Sequence, residues 1–259
     1  MNLGSTLVLG GIAGGTIVLG LPVARIRGLS QSARLLLAAG AVGVLLFLLW
    51  DVLSGAWQPI DGELARAGAT RLPLYGALLV GGVSAGLLGV VAWERLLQRR
   101  RSAGAGATTP RGLAVLIAVG IGVHNLAEGL AIGQSAASGA IALAAVLVVG
   151  FALHNATEGF GIVAPLAAGG VRPSWRFLLL LGAIGGVPTF AGTALGWAWT
   201  STAATVLFLA LAAGSILSVI IQLLGVTARA ARPDLVAYGV LAGLIAGFAT
   251  DALVTLGGV

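Results

Sequence analysis

Eight apolar runs, each long enough to cross a bilayer, divide this chain from end to end. Their approximate spans are 3–24, 34–56, 73–98, 112–135, 140–168, 175–199, 202–228 and 235–257. A helix needs about 20 mostly apolar residues to cross the hydrocarbon layer. Inside lipid every backbone N–H and C=O must be paired within the protein, which leaves helices or a closed barrel. Runs of this length, without strand-like alternation, are helices. Charged residues make up 8% of the 259 and hydrophobic ones 58%, where a soluble domain carries about 25% charged residues. Twenty-two charges cannot build a polar skin. Mean hydropathy is +1.07. The expected fold is all-α: a polytopic integral membrane protein of eight transmembrane helices, one membrane domain over 1–259, multi-pass in the cell (inner or plasma) membrane with the lipid bilayer as its surroundings. The first run reads as a helix and not a signal peptide, because nothing basic precedes it while Arg25 and Arg27 follow it.

Arginine placement sets the expected orientation. Arg25, Arg27 and Arg34 lie between runs one and two. Arg95, Arg99, Arg100, Arg101 and Arg111 lie between or beside runs three and four. Arg172 and Arg176 separate five and six, and Arg229 and Arg232 separate seven and eight. The alternate loops hold only Arg66 and Arg71, set against Asp61 and Glu63, so the count is 12 to 2. Basic loops stay cytoplasmic, which puts both termini outside the cytoplasm. The alternation holds for eight spans and would fail for seven or nine. Trp57, Trp93 and Trp175 fall near the expected membrane–water boundaries, as aromatic belts do. Glu94, beside a basic cluster, reads as a solvated boundary residue.

Composition removes several chemistries. With no cysteine there is no disulfide frame, thiolate metal site or thiol nucleophile. All fourteen basic residues are arginine, so a Walker A lysine and a Schiff-base lysine are both excluded. The sequence pI of about 11.4 comes from arginines between apolar runs, which is a topology signal and no nucleic-acid footprint. No organic cofactor is expected.

Ionisable groups within lipid-spanning helices are costly and mark function. Six are expected here: Asp51, His124, Glu128, His154, Glu158 and Asp251. The chain's two histidines open the same pattern, His124-Asn125-Leu126-Ala127-Glu128-Gly129 and His154-Asn155-Ala156-Thr157-Glu158-Gly159, 30 residues apart. His and Glu at i, i+4 share one helix face. Two such helices face to face make a grip of two imidazoles and two carboxylates, a donor set suited to borderline divalent ions. Asn125 and Asn155 add amide oxygens. One divalent cation would neutralise the two carboxylates, so metal and protons compete for these side chains. Asp51 and Asp251, in the outer halves of their helices, are possible entrance charges, or local caps.

Depth follows from the connection. Runs four and five form a hairpin turning near Ser138-Gly139, and His124 and His154 each lie 15 residues from Gly139. Both histidines therefore sit near the midplane. Glu128 lies one turn outward of the first and Glu158 one turn inward of the second, each offset by about 6 Å in straight helices. Tilt or a local break must bring both carboxylates within reach of one ion.

The two segments "HNLAEGLAIG" and "HNATEGFGI" resemble the ZIP (Zrt-, Irt-like protein) family of metal-ion transporters, which typically shows H-N-x-P-E-G in its fourth and fifth helices. The resemblance implies eight helices with both termini outside, and metal binding by His124, Glu128, His154 and Glu158 with Asn125 and Asn155 as further ligands. It also implies an elevator: helices 1, 4, 5 and 6 moving as a transport block against a scaffold block of helices 2, 3, 7 and 8, in a possible homodimer. The family's motif prolines are Ala127 and Thr157 here. Its sixth-helix Glu-Pro is replaced by Gly186-Val187-Pro188, and the corresponding stretch of the seventh helix offers only Gln222. The function expected is transport of a divalent metal toward the cytoplasm, zinc first, with Fe, Mn, Co, Ni and Cd admitted by the same donors. No enzyme activity is expected. An intramembrane metallohydrolase would need an open metal position and a general base, and both glutamates are committed as ligands. A metal-binding homologue that does not transport is the other alternative.

Overall fold

The computed structural model describes residues 1–26, 30–66, 69–100, 109–139 and 141–256. Arg27 and Arg101 fall outside these ranges, and within them the side chains of Trp93, Glu94, Arg99, Arg100 and His154 are among those outside the described set. The described elements are helices throughout. Eight are long and apolar enough to cross a membrane: α1 (Leu3–Arg25), α2 (Gln31–Leu64), α3 (Leu72–Arg100), α4 (Pro110–Ala137), α5 (Ile141–Ala168), α6 (Trp175–Ala198), α7 (Thr202–Ala228) and α8 (Pro233–Leu256).

Caps explain several boundaries. Ser30, Thr109, Ser174 and Ser201 each accept a hydrogen bond from a backbone N–H of the following first turn, at 3.1–3.4 Å, pairing a donor that a helix start otherwise leaves orphaned. At the α4–α5 connection Ser138 caps α4 and Gly139 takes a φ of 81°, where a side chain would be strained.

Two helices differ from the reading of hydrophobicity alone. α2 runs eight residues beyond position 56, to Leu64. At 1.5 Å per residue its 34 residues span about 51 Å, well beyond the roughly 30 Å hydrocarbon layer. Hydrophobicity marks where lipid ends, whereas helical hydrogen bonding continues past it. The turn beyond is tied by Glu63, whose carboxylate lies 3.1 Å from the Arg66 guanidinium and accepts from the Arg71 N–H at 3.2 Å. α1 is interrupted at Thr16: its pieces are Leu3–Gly15, Ile17–Gly20 and a 3-10 turn Leu21–Arg25. Thr16 Oγ1 donates to the Ala13 carbonyl at 2.7 Å.

Three helix pairs carry the most extensive packing: α4 with α6, α3 with α7, and α2 with α8. Each is built on backbone-to-backbone approach at glycine. A Cβ added at Gly192 of α6 would lie 2.0 Å from the Leu126 carbonyl oxygen of α4, and one at Gly129 of α4 would lie 2.0 Å from the Thr189 oxygen of α6. Gly214 of α7 meets α3, and Gly243 of α8 meets α2, in the same way. Apolar burial drives no helix association in lipid, so close van der Waals contact between small residues is what joins these helices. Helices α1, α4, α5 and α6 pack around one another; α2 joins α7 and α8, and α3 joins α7; contacts of α4 with α7 and α2 with α5 connect the two groups. α4 is the most enclosed helix, while α3 and α8 expose most of their apolar surface.

Gly192→Ala should therefore force α4 and α6 apart and lower stability by about 1–3 kcal/mol. Gly81→Ala, on an exposed face with nothing within 4 Å of the added methyl, should be neutral or slightly stabilising, since alanine outranks glycine in helices. Thermal unfolding of the two purified variants in one detergent makes the comparison.

Candidate metal centre

The i, i+4 spacing places His124 and Glu128 on one face of α4, with His124 Nε2 2.9 Å from Glu128 Oε1. The same nitrogen lies 3.5 Å from Glu158 Oε1 of α5. His124, Glu128 and Glu158 are all at most 3% exposed, so both carboxylates meet the imidazole away from solvent. The two carboxylates converge on His124 from their own and the neighbouring helix, although a straight-helix estimate separates each from its histidine by a turn. α5 can lie close because Gly159 packs directly on α1: a Cβ there would be 2.3 Å from the Ile17 carbonyl oxygen.

The asparagines spend their amide nitrogens on neighbouring backbones. Asn125 Nδ2 donates to the Gly185 carbonyl of α6 at 2.9 Å, and Asn155 Nδ2 to the Ala13 carbonyl of α1 at 3.0 Å. Both Oδ1 atoms are buried with no hydrogen-bond partner among the described residues. An amide has donors on one side and an acceptor on the other, so anchoring the nitrogen fixes where the oxygen points. Both acceptors sit where a neighbouring helix is irregular. Ala13 lies three residues before the break at Thr16. Gly185 lies beside Pro188, which has no N–H to give the Ile184 carbonyl one turn earlier. Gly122 of α4 lets that stretch approach: a Cβ there would lie 2.4 Å from the Ile184 oxygen.

On the side of the cluster that faces Arg25, Arg111 and Arg172, the neighbouring side chains are isoleucines. Ile17, Ile121 and Ile162, from three helices, are fully buried and converge on Gly185.

Residue by residue, the structure brings together His124, Glu128 and Glu158, with Asn125 and Asn155 anchored on the same two helices. The His154 side chain lies outside the described residues. Among the described residues, no group of three or more His, Asp or Glu side chains is placed to hold a metal ion. Asp51 is half-buried on α2 and Asp251 exposed on α8, outside the four helices that pack around the cluster. Phe47 and Phe248 stack edge to face at 4.9 Å, which sets α2 and α8 in a register that places the two aspartates at about the same level. Gln222 Nε2 donates to Ser218 Oγ at 3.3 Å. Thr189 was not foreseen: it is fully buried against Gly14 and Gly129, and its hydroxyl has no partner among the described residues. Its one sequence signal is its place directly after Pro188.

Compared with protein-family models and with curated proteins, the chain matches none. What the fold and the cluster define is a class: an eight-helix bundle with membrane-spanning dimensions that buries carboxylate, imidazole and amide groups at its centre.

Asn125→Leu removes the tie from α4 to the Gly185 carbonyl and leaves that acceptor buried. A loss of about 1–3 kcal/mol is expected. Asn125→Asp should be harmed as well, because a carboxylate cannot donate to a carbonyl. Thermal unfolding of the two variants checks both.

Proposed function

We propose that this chain is a membrane transporter for a divalent metal ion, with His124, Glu128, His154 and Glu158 as the ligands that hold the ion and Asn125 and Asn155 as further oxygen donors. The observation that carries this reading is the buried His124 imidazole between the carboxylates of Glu128 and Glu158, at 2.9 and 3.5 Å. Donors bound to one tetrahedral ion at about 2.0–2.1 Å stand roughly 3.3 Å from each other, so these separations suit a shared ion. Two carboxylates and neutral imidazoles would form a neutral complex with a dication, which is the charge state that burial favours. The motif resemblance to ZIP transporters points the same way, and zinc is the first candidate on the donor set.

Transport also needs the site to be shut from one side at a time. In this reading Ile17, Ile121 and Ile162 close it toward the arginine-bearing end, which on the positive-inside rule is cytoplasmic. Release in that direction requires movement. The packing of α1, α4, α5 and α6 around one another is compatible with those helices moving as a unit against α2, α3, α7 and α8, and a homodimer could hold the second group still. Asp51 and Asp251 could gather cations at the opposite end, acting on the rate of encounter.

Purified protein in liposomes, offered zinc and a panel of other divalent ions, should show uptake. His124→Ala and Glu158→Ala should each reduce it by at least about 100-fold, the upper range for losing even a supporting partner of a metal ligand, while circular dichroism stays helical. Asp51→Asn should slow uptake far less. Binding without uptake would select the non-transporting homologue, and equal losses from all three substitutions would remove the distinction between site and entrance.

A further inference from the structure

The arginine-bearing end of the bundle has a second polar feature, remote from the carboxylates. A cavity of about 710 Å³ lies between the first turns of α2 and α4 and the last turns of α5 and α7. Its polar lining includes Gln31, Arg34, Thr227 and Arg229, and among the described residues no Asp or Glu lines it. A smaller pocket shares Arg34 and Gly170 with it and adds Arg25 and Arg172, again without a carboxylate. Two guanidiniums, Arg34 and Arg229, therefore line the larger cavity, and Arg25 and Arg172 join Arg34 in the smaller pocket beside it. Arg34 Nη1 donates to the Ala167 carbonyl at 3.1 Å, which offsets the exposed carbonyl end of α5. The starts of α2 and α4 turn positive dipole ends toward the cavity and the last turns of α5 and α7 turn negative ones, so its positive charge rests on the guanidiniums. A divalent cation would be repelled from this basin, so it is no simple vestibule for the metal.

We propose that this cavity binds a phosphate-bearing anion, and that the anion is the headgroup of an acidic phospholipid. Guanidinium groups pair with phosphate oxygens in a bidentate manner. The lining favours a lipid over a free ion, because beneath the polar rim lie Leu35, Leu113 and Val226, which offer apolar surface to a glycerol backbone and the upper acyl carbons. The level also fits. Arg25, which lines the adjoining pocket, stacks at 4.7 Å on Trp175, and tryptophan marks the headgroup region of a bilayer. Basic pockets between transmembrane helices are a known chemistry for acidic headgroups. The walls belong to both helix groups, so an occupant bridges the seam between them. The inference rests on the membrane-spanning reading of the helices and not on the metal reading.

The full chain, purified in detergent, would be titrated with phosphatidylglycerol, phosphatidylcholine and inorganic phosphate, and followed by native mass spectrometry and thermal unfolding. Phosphatidylglycerol should be retained and should raise the unfolding temperature, and phosphatidylcholine should do neither. Arg229→Gln, an exposed position, should weaken phosphatidylglycerol retention about tenfold, which corresponds to about 1.4 kcal/mol. Arg34→Gln should do the same if it folds. Arg176→Gln removes a charge from the same end without touching the cavity lining and should leave retention unchanged. Equal retention in the wild type and Arg229→Gln, or an equal loss in Arg176→Gln, would overturn the cavity as the site. Stabilisation by inorganic phosphate with none by phosphatidylglycerol would overturn the lipid as its occupant.

Discussion

Placing imidazole and carboxylate groups in the middle of an apolar bundle is permitted only if lipid and stray water are kept off them, and backbone contact at glycine achieves this. Gly129 against Thr189, Gly192 against Leu126 and Gly159 against Ile17 draw α4 onto α6 and α5 onto α1 at distances that leave no room for a methyl group. With larger residues at these positions the helices would stand apart, and His124, Glu128 and Glu158 would face lipid at a cost of several kcal/mol each. The polar cluster and the small-residue interfaces are thus one design: the second encloses the first.

Close approach also creates the anchors. The Thr16 break interrupts α1, and Pro188 removes one backbone N–H from the continuous α6; the carbonyls of Ala13 and Gly185, each about one turn before these positions, accept the amides of Asn155 and Asn125. Irregular backbone at membrane depth is tolerated where other parts of the protein bond it. Each motif segment is thereby held by the helix it packs against, and the break sits in α1 while α4 stays unbroken from Pro110 to Ala137. That is a way of shaping the centre without prolines at positions 127 and 157.

The two ends of the bundle differ in chemistry. Arginine dominates one end: Arg25 lies over Trp175 and Arg111 over Phe177, while Arg34 and Arg229 line the larger cavity. At the other, Glu63 organises the α2–α3 turn through Arg66 and Arg71. Between the central cluster and the basic end lie the fully buried Ile17, Ile121 and Ile162.

The number of membrane-spanning helices was readable from the sequence, because a bilayer demands a run of about 20 apolar residues and such runs are visible without any knowledge of packing. The i, i+4 pairing of His124 with Glu128 was equally legible, since it depends only on the pitch of one helix. The hairpin turn at Gly139 followed from its place midway between two repeats. The sequence did not reveal where α2 ends, because helical bonding outlasts hydrophobicity at Gln58–Leu64. Nor did it show that Glu158 approaches His124, that Asn125 and Asn155 bond Gly185 and Ala13, or that Thr189 is buried beside them. Those depend on which helices become neighbours and on how far each is tilted and broken. Spacing along one chain fixes contacts within a helix; contacts between helices, and the basic cavity formed by the ends of four of them, exist only once the glycine-lined faces have chosen their partners.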